Sequence, residues 1–285
     1  MQRKVILALI IIVIIAVAAV AALQLSTKPA PSAEARNIKI GLVAPISGSP
    51  IGQDMERAAK LAVQEINDAG GVSVSGWNTK VNITLVIADT INDAPANAVT
   101  PVTRAVDTDN VDMLIGGYGS AGTLANEIVA IENKVPFIIT GASNQLVTRR
   151  GPQGNYGGFG PNGANSVSDA EGMSYMFHYC TTTYDYSKTV VDFFATVMKP
   201  MVAADRNFSL ALLYRNDAFG TGVAQATKFW IQNESLPISL VADRTYDPAT
   251  TNYQTDLTAV AAAHPDAVFV ADNPDKTPLI IKQGW

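Results

Sequence analysis

Three short runs carry the residue types from which a site could be built. Gly117-Tyr118-Gly119-Ser120-Ala121-Gly122 follows a strand-like run and opens a helix-like one, and its glycines satisfy the spacing G-x-G-x-x-G. A dinucleotide fold wants an acidic residue at the end of the next strand, about 20 residues on, to hold the ribose hydroxyls. Here that strand ends in Ile139-Thr140-Gly141, so a nicotinamide site is disfavoured. The physics of the loop survives: glycines let a ligand approach the backbone, and free N–H groups at a helix start attract an anion, a carboxylate as well as a phosphate. Thr140-Gly141-Ala142-Ser143 takes the corresponding place after the next strand. Loops at the carboxyl ends of adjacent parallel strands lie side by side, so Ser120 and Ser143 are expected to converge on one ligand; the plainer alternative is that each serine only caps a helix. In the third run, His178-Tyr179-Cys180, two ligands on one strand face make no metal site, and His264 is far away beside Pro265. That strand reads as packed core, with Tyr175, Phe177 and Tyr179 as core on its other face and a pocket wall as the alternative. No G-x-S-x-G elbow, H-E-x-x-H or phosphate loop occurs, and nothing calls for an enzyme, a metal or a cofactor.

The elements that must hold these runs alternate. Ile38 to Ala44 reads as a buried parallel strand ending at Pro45, and a helix follows in which Met55, Ala59, Ala62 and Ile66 share a face. Glu56 and Lys60 pair across one turn of that helix, and Gly70-Gly71 ends it. Strands are then predicted over Val81 to Asp89, Val111 to Ile115 and Pro136 to Thr140, with helices over Ala94 to Val106 and Thr123 to Asn133. Arg149 to Gly163 holds six glycines and two prolines and reads as a long loop. A strand over Tyr175 to Cys180 and a helix over Ser187 to Met198 lead into a second βα series. Its strands are Phe208 to Tyr214, Ile238 to Ala242 and Ala267 to Ala271, its helices Val223 to Ile231, Tyr253 to Ala263 and Pro278 to Trp285. The fold class is α/β: two lobes, each a mainly parallel sheet flanked by helices, the second incomplete with three clear strands.

With 285 residues, 48% of them apolar and 16% charged, the chain belongs with globular proteins and not with collagen-like, coiled-coil or disordered ones. Val5 to Leu23 is an unbroken apolar run preceded by Arg3 and Lys4, either a cleaved signal peptide or a membrane anchor. The basic flank leaves all that follows facing outward. From Ser26 to Asn37 the composition is that of a tether. Beyond Arg36 there remain 16 basic and 24 acidic side chains, which makes nucleic acid an unsuitable partner. Cys180 is the only cysteine, so no disulfide forms within the chain. Asn82, Asn207 and Asn233 each begin a glycosylation sequon, a short pattern that also arises by chance.

Taken in order, these landmarks resemble the leucine/isoleucine/valine-binding family of ABC-transporter solute receptors, the type I periplasmic binding proteins. The resemblance is carried by Ile38-Lys39-Ile40-Gly41-Leu42-Val43-Ala44-Pro45, Gly52-Gln53-Asp54-Met55, and the run Ala62-Val63-Gln64-Glu65-Ile66-Asn67-Asp68-Ala69-Gly70-Gly71-Val72. Leu114-Ile115-Gly116, Pro136-Phe137-Ile138, Ala211-Leu212-Leu213-Tyr214, Phe219-Gly220, Tyr246-Asp247-Pro248 and Pro265-Asp266-Ala267-Val268-Phe269-Val270 extend it. It implies a signal peptide or anchor over 1–25, a linker over 26–37, a first lobe over 38–179 with an insert at 149–163, and an incomplete second lobe over 180–285. The lobes would close on a small solute, an amino acid or related carboxylate or amide, and then dock on ABC permease subunits outside the cytoplasm, tethered to the membrane if the first segment stays. By resemblance Ser120, with Gly119 beside it, binds the ligand carboxylate; Gly141, Ala142 and Ser143 contact carboxylate and ammonium; Phe219 covers the ligand without the hydroxyl often found there. Asn273 falls near a second-lobe pocket position. Asn92 and Gly119 stand where many relatives have a disulfide, so that loop is expected to be held by packing. Relatives run on past the position of Trp285, where the acidic residue that meets the ammonium would lie. A sensory module built on the same clamshell is the alternative function, and an α/β oxidoreductase using the glycine loop a third.

Overall fold

The computed structural model describes residues 36–151, 167–274 and 276–284. The apolar first segment, nearly all of the tether and most of the glycine-rich stretch lie outside the described residues. A five-stranded parallel sheet forms from β1 (Ile38–Ala44), β4 (Ile83–Asp89), β5 (Met113–Gly116), β6 (Phe137–Ile139) and β7 (Met176–His178), in the order β4-β1-β5-β6-β7. The short strands β2 (Val72–Ser73) and β3 (Lys80–Val81) pair separately and antiparallel. Three parallel strands make the second sheet: β8 (Phe208–Arg215), β9 (Ile238–Tyr246) and β10 (Ala267–Ala271), in the order β10-β8-β9.

The crossover helices follow from the sequence. α1 (Pro50–Asp68) starts where Ser49 accepts from the Ile51 amide and Pro50 fixes the first turn, and it stops at Gly70 and Gly71, both at positive φ. α2 (Pro95–Thr103) holds Pro101 and continues as a π-helical turn over Arg104–Thr108. α3 (Ser120–Asn133) ends at Lys134 in the left-handed region. α4 (Leu146–Arg149) and α5 (Ala170–Met173) are single turns on either side of the glycine-rich stretch. α6 (Thr183–Phe193) begins four residues before the predicted Ser187, because the Thr182 hydroxyl accepts from the Asp185 amide and sets the cap there. It runs through a π turn over Phe194–Met198 into α7 (Lys199–Val202). α8 (Ala218–Asn233), α9 (Gln254–Ala262) and α10 (Thr277–Gly284) flank the second sheet.

Each sheet buries apolar side chains on both faces. On the first sheet Val43, Leu114, Ile131, Phe137 and Ile139 form one core, and Leu42, Ala44 and Ala59 the other. On the second, Phe208 stacks on Phe194 at 5.3 Å between ring centres, and Tyr246, Tyr253 and Leu213 close the opposite face. Two sequence expectations are corrected. In α1, Met55 and Ala59 face the sheet, but Ala62 and Ile66 are exposed; the seated stripe continues through Val63 and Asn67, whose amide side chain pairs with Ile83. Phe177 and Tyr179 are not core: β7 is the sheet's edge and nothing described covers its outer side, leaving Phe177 50% and Tyr179 83% exposed.

Gly116 is dictated by position. Its φ is 109° and a Cβ would drive into the Val43 carbonyl, so glycine alone lets β5 turn toward the start of α3. That helix carries a polar buried side: Thr123, Asn126 and Glu127 are almost wholly enclosed. Glu127 Oε1 lies 2.7 Å from an Arg150 guanidinium nitrogen, but out of line for a hydrogen bond. The same nitrogen donates to the Leu124 carbonyl at 2.6 Å. Burial therefore outweighs the pull of Arg150, and the Glu127 carboxyl is pushed up to about 8. A carboxyl that binds its proton more tightly folded than unfolded costs stability as pH rises from its ordinary 4.5 to about 8, and nothing further above that. Urea unfolding should show stability falling between about pH 5 and 8 in the native chain and a flatter profile in Glu127→Gln. Parallel profiles would show that Arg150 keeps the carboxylate ionised.

Candidate functional site

The helices that follow β5 and β8 both start at the carboxyl ends of parallel strands, and the loop after β6 lies between their first turns. α3 starts at Gly119, which has no side chain to cap it, so the first-turn amides of Ser120, Ala121 and Gly122 have no partner within the helix. Ser120 is the first helical residue, 3% exposed, and its Oγ accepts from the Asn144 amide at 3.1 Å. It is therefore not a cap. Nor is Ser143: the carbonyl accepting from Leu146 at the start of α4 belongs to the Asn144 side chain, at 2.9 Å.

Asn144 is the hub of the cluster. Besides those two bonds, its Nδ2 donates to the Ala218 carbonyl at the start of α8, on the other sheet. A Cβ at Gly222 would come within 2.7 Å of that nitrogen, so α8 approaches through glycine. The loop is tied on its remaining sides. Thr140 and Gly141 amides donate to Gly116 and Gly117 carbonyls, and the Ala142 amide also meets Gly117. The Thr183 amide donates to the Ser143 carbonyl at 2.7 Å, and the Thr183 hydroxyl donates to Gln145. His178 joins through both ring nitrogens: Nε2 lies 2.8 Å from the Ala142 carbonyl, which can only accept, so Nδ1 accepts from the Thr148 hydroxyl at 2.7 Å. Burial lowers the His178 pKa, which keeps the ring in this neutral form.

Ser120, Gly141, Ala142, Ser143 and Phe219 are thus gathered around Asn144. Phe219 follows Ala218, and its ring lies 6.5 Å from that of Tyr186. Two expected members stand differently. The Gly119 amide donates to Asp93 Oδ2 at 2.7 Å, so the protein's own carboxylate takes this donor. Asn273 is engaged in its own turn: its amide donates to the Asp272 side chain at 2.7 Å, and its carbonyl accepts from Lys276 and Thr277. Its neighbours Asp272 and Pro274, with Thr277, Ile281 and Lys282, line a cavity of about 600 Å³ beside α10. A second cavity of about 600 Å³ lies against α2, lined by Asp89, Asn97, Thr100 and Arg104. Neither includes Ser120 or Ser143 among its lining residues.

Asp93 also answers how the loop before α2 is held. Packing was expected; instead its buried carboxylate accepts from the Gly119 amide and from the Thr90 hydroxyl at 2.5 Å. Burial raises its pKa against both hydrogen bonds, with Asp89 adding to the rise. Asp93, Asn144 and Tyr186 were all missed by the sequence reading. Their only signal was a polar side chain next to a residue already singled out: Asn92, Ser143 and, for Tyr186, Ser187 at the predicted start of a helix.

The family model described as periplasmic binding protein matches residues 37–284. A Leu/Ile/Val-binding protein homolog 7 from Brucella abortus is 24% identical over 264 residues, covering 92% of this chain and 57% of that one. A homolog 8 from Brucella suis is 25% identical over 196 residues, 68% of this chain and 41% of its own. The chain therefore spans about half the length of the curated relatives it matches, 57% of one and 41% of the other. Among solved structures, the branched-chain amino acid transporter substrate binding protein LivJ from Streptococcus pneumoniae, in complex with isoleucine, superposes with a TM-score of 0.67 at 24% identity. It is covered over 61% of its chain by 87% of this one. A solute binding protein of an ABC transporter from R. palustris, in complex with 4-hydroxybenzoate, gives 0.64 at 17% identity, with 87% of this chain against 57% of that one. At these identities the likeness is one of fold.

Asp93→Ala should lower unfolding stability by about 1–3 kcal/mol, because it leaves the Gly119 amide and the Thr90 hydroxyl without their acceptor. Asp93→Asn, which keeps an acceptor and tolerates the local φ of 56°, should lose less than half as much in the same denaturant titration.

Proposed function

Since the chain belongs to the periplasmic binding protein family, we propose that it is a solute receptor. It binds a branched-chain amino acid, or a related small carboxylate or amide, between a first lobe over 38–179 and a second over 180–285. It then delivers that solute to ABC permease subunits. The apolar segment with Arg3 and Lys4 before it puts the receptor outside the cytoplasm, secreted or held by that segment. The observation that carries the reading is the meeting of two helix N-termini, α3 from one sheet and α8 from the other, across the loop that Asn144 centres.

The uncapped N-terminus of α3 favours a negative group by about 0.3–1 kcal/mol when exposed and up to about 2 when partly buried, whereas Asp217 already caps α8 and takes its Gly220 amide. Ser120 adds a hydroxyl. Its oxygen already accepts from Asn144, so its proton is free to go to a ligand carboxylate oxygen. The Ala121 and Gly122 amides stand beside it at the uncapped start of α3, while the Gly119 amide, held by Asp93, takes no part. Gly141, Ala142 and Ser143 form the second wall, and Phe219 with Tyr186 supplies an apolar side suited to an aliphatic or aromatic body. No bond is made or broken; selectivity comes from which groups are satisfied when the lobes are together.

Isothermal titration of the full chain against L-leucine, L-isoleucine, L-valine, benzoate and 4-hydroxybenzoate should find micromolar or tighter binding for at least one. Ser120→Ala should then weaken it about tenfold or more, the loss expected for a hydrogen bond to a charged group. Wild-type affinity in that variant removes Ser120 from the site, and failure of every compound to bind removes the proposed function.

A further inference from the structure

The three glycosylation sequons of the sequence are unequal in the fold. Asn82-Ile83-Thr84 and Asn207-Phe208-Ser209 lead into β4 and β8, and their middle residues are core: Ile83 is 8% exposed and Phe208 0%. The backbone there is already taken. The Ile83 amide and carbonyl pair with the Asn67 side chain at 2.8 and 2.9 Å, while the Phe208 and Ser209 amides donate to the Pro237 carbonyl and the Asp266 carboxylate at 2.9 and 2.7 Å. Asn207 Nδ2 is itself given to the Ser239 hydroxyl at 3.3 Å. Asn233-Glu234-Ser235 differs in each respect. All three residues are exposed: Asn233 is the last residue of α8, and the next two form the turn after it. Ser235 has a φ of 50°, which bends the chain out of the helix, and among the described residues the Asn233 side-chain amide meets no acceptor. An enzyme that modifies Asn-x-Ser must reach the amide and the hydroxyl two residues on together, which on a folded chain an exposed run allows and a strand start does not.

The place of this turn also suits a bulky addition. α8 is 16 residues long, so its end at Asn233 lies ~24 Å from its start at Ala218, where Asn144 reaches it. A sugar at Asn233 therefore stands in solvent at the amino end of the second sheet, beside the entry to β9, and leaves the loops at the carboxyl ends of the strands clear. We propose that Asn233 is an N-glycosylation site, the one sequon of the three that the folded chain offers. In the step itself Asn233 Nδ2 bonds to the anomeric carbon of a sugar carried on a lipid phosphate. The bond from that carbon to the phosphate oxygen breaks, the lipid phosphate leaves with the electron pair, and Nδ2 gives up one of its two protons to solvent. The co-reactant is thus a lipid-linked oligosaccharide, delivered by a membrane-bound transferase outside the cytoplasm. This rests on the outward placement proposed above and not on the solute site.

The test takes the full chain from the cells that naturally make it and maps its tryptic peptides by mass. The peptide from Phe229 to Arg244, which holds Asn233, should carry an excess equal to a whole number of sugar residues, and the peptides holding Asn82 and Asn207 none. Made in the same cells, Asn233→Gln and Ser235→Asn should each lose that excess completely. Asparagine tolerates the left-handed backbone at position 235, so the second variant removes the hydroxyl without straining the turn. A bare Asn233, or sugar on Asn82 or Asn207, would overturn the assignment. Protease added to intact cells separates this failure from that of the outward placement: a bare chain that is digested loses only the site, and a bare chain that is protected loses both.

Discussion

Asn144 joins the two sheets. Its backbone amide is given to Ser120 at the start of one helix, its side-chain oxygen accepts from Leu146, and its side-chain nitrogen reaches the Ala218 carbonyl at the start of another. The residue is only 4% exposed, so each of these groups must find a protein partner or be left unpaired, at about 1–3 kcal/mol each. The net worth of one such bond, compared with water, is about 0.5–1.5 kcal/mol. Its main effect is geometric. The bonds set the two helix starts at one separation.

The surroundings of that contact are unusually polar for an interior. Elsewhere the sheets are filled with Val, Leu, Ile and Phe, but around the start of α3 the chain buries Asp93, Ser120, Thr123, Asn126 and Glu127. Asp93 anchors the loop before α2 to Gly119, and Arg150 reaches α3 from the other side, where Leu124 and Glu127 meet it. Both carboxyls are raised by burial, the mark of groups kept where an apolar side chain would be the more stable choice. Local rules are broken most densely around α3 and the loop before α2, and a working site is a place where such rules are expected to break.

Much of this was readable in one dimension. The βα alternation yielded both parallel sheets, and β1 and β10 have the bounds read from the apolar runs Ile38 to Ala44 and Ala267 to Ala271. The Glu56–Lys60 pair formed, at 2.7 Å. Periodicity failed where exposure depends on what lies alongside. Phe177 and Tyr179 look like core on an alternating strand, but they lie on the sheet's edge. Ala62 and Ile66 do share a helical face with Met55 and Ala59, within about 60° at 100° per residue, but the seated stripe runs in steps of four through Val63 and Asn67 and leaves them in solvent.

The sequence by itself determined the class of fold, the two βα series, and the small-residue loops, serines and aromatic that the fold gathers around Asn144. These are local properties: the period of apolar residues, the placing of glycine, and the chemistry of side chains at strand ends. Only the tertiary structure decided that Asp93 takes the Gly119 amide and that Asn144 ties Ser120 to Ala218. Each is a matter of which polar groups meet across 24 to 74 residues of chain. Hydrogen bonds are satisfied or missed within a few tenths of an ångström, and the order of residues does not encode distances that fine.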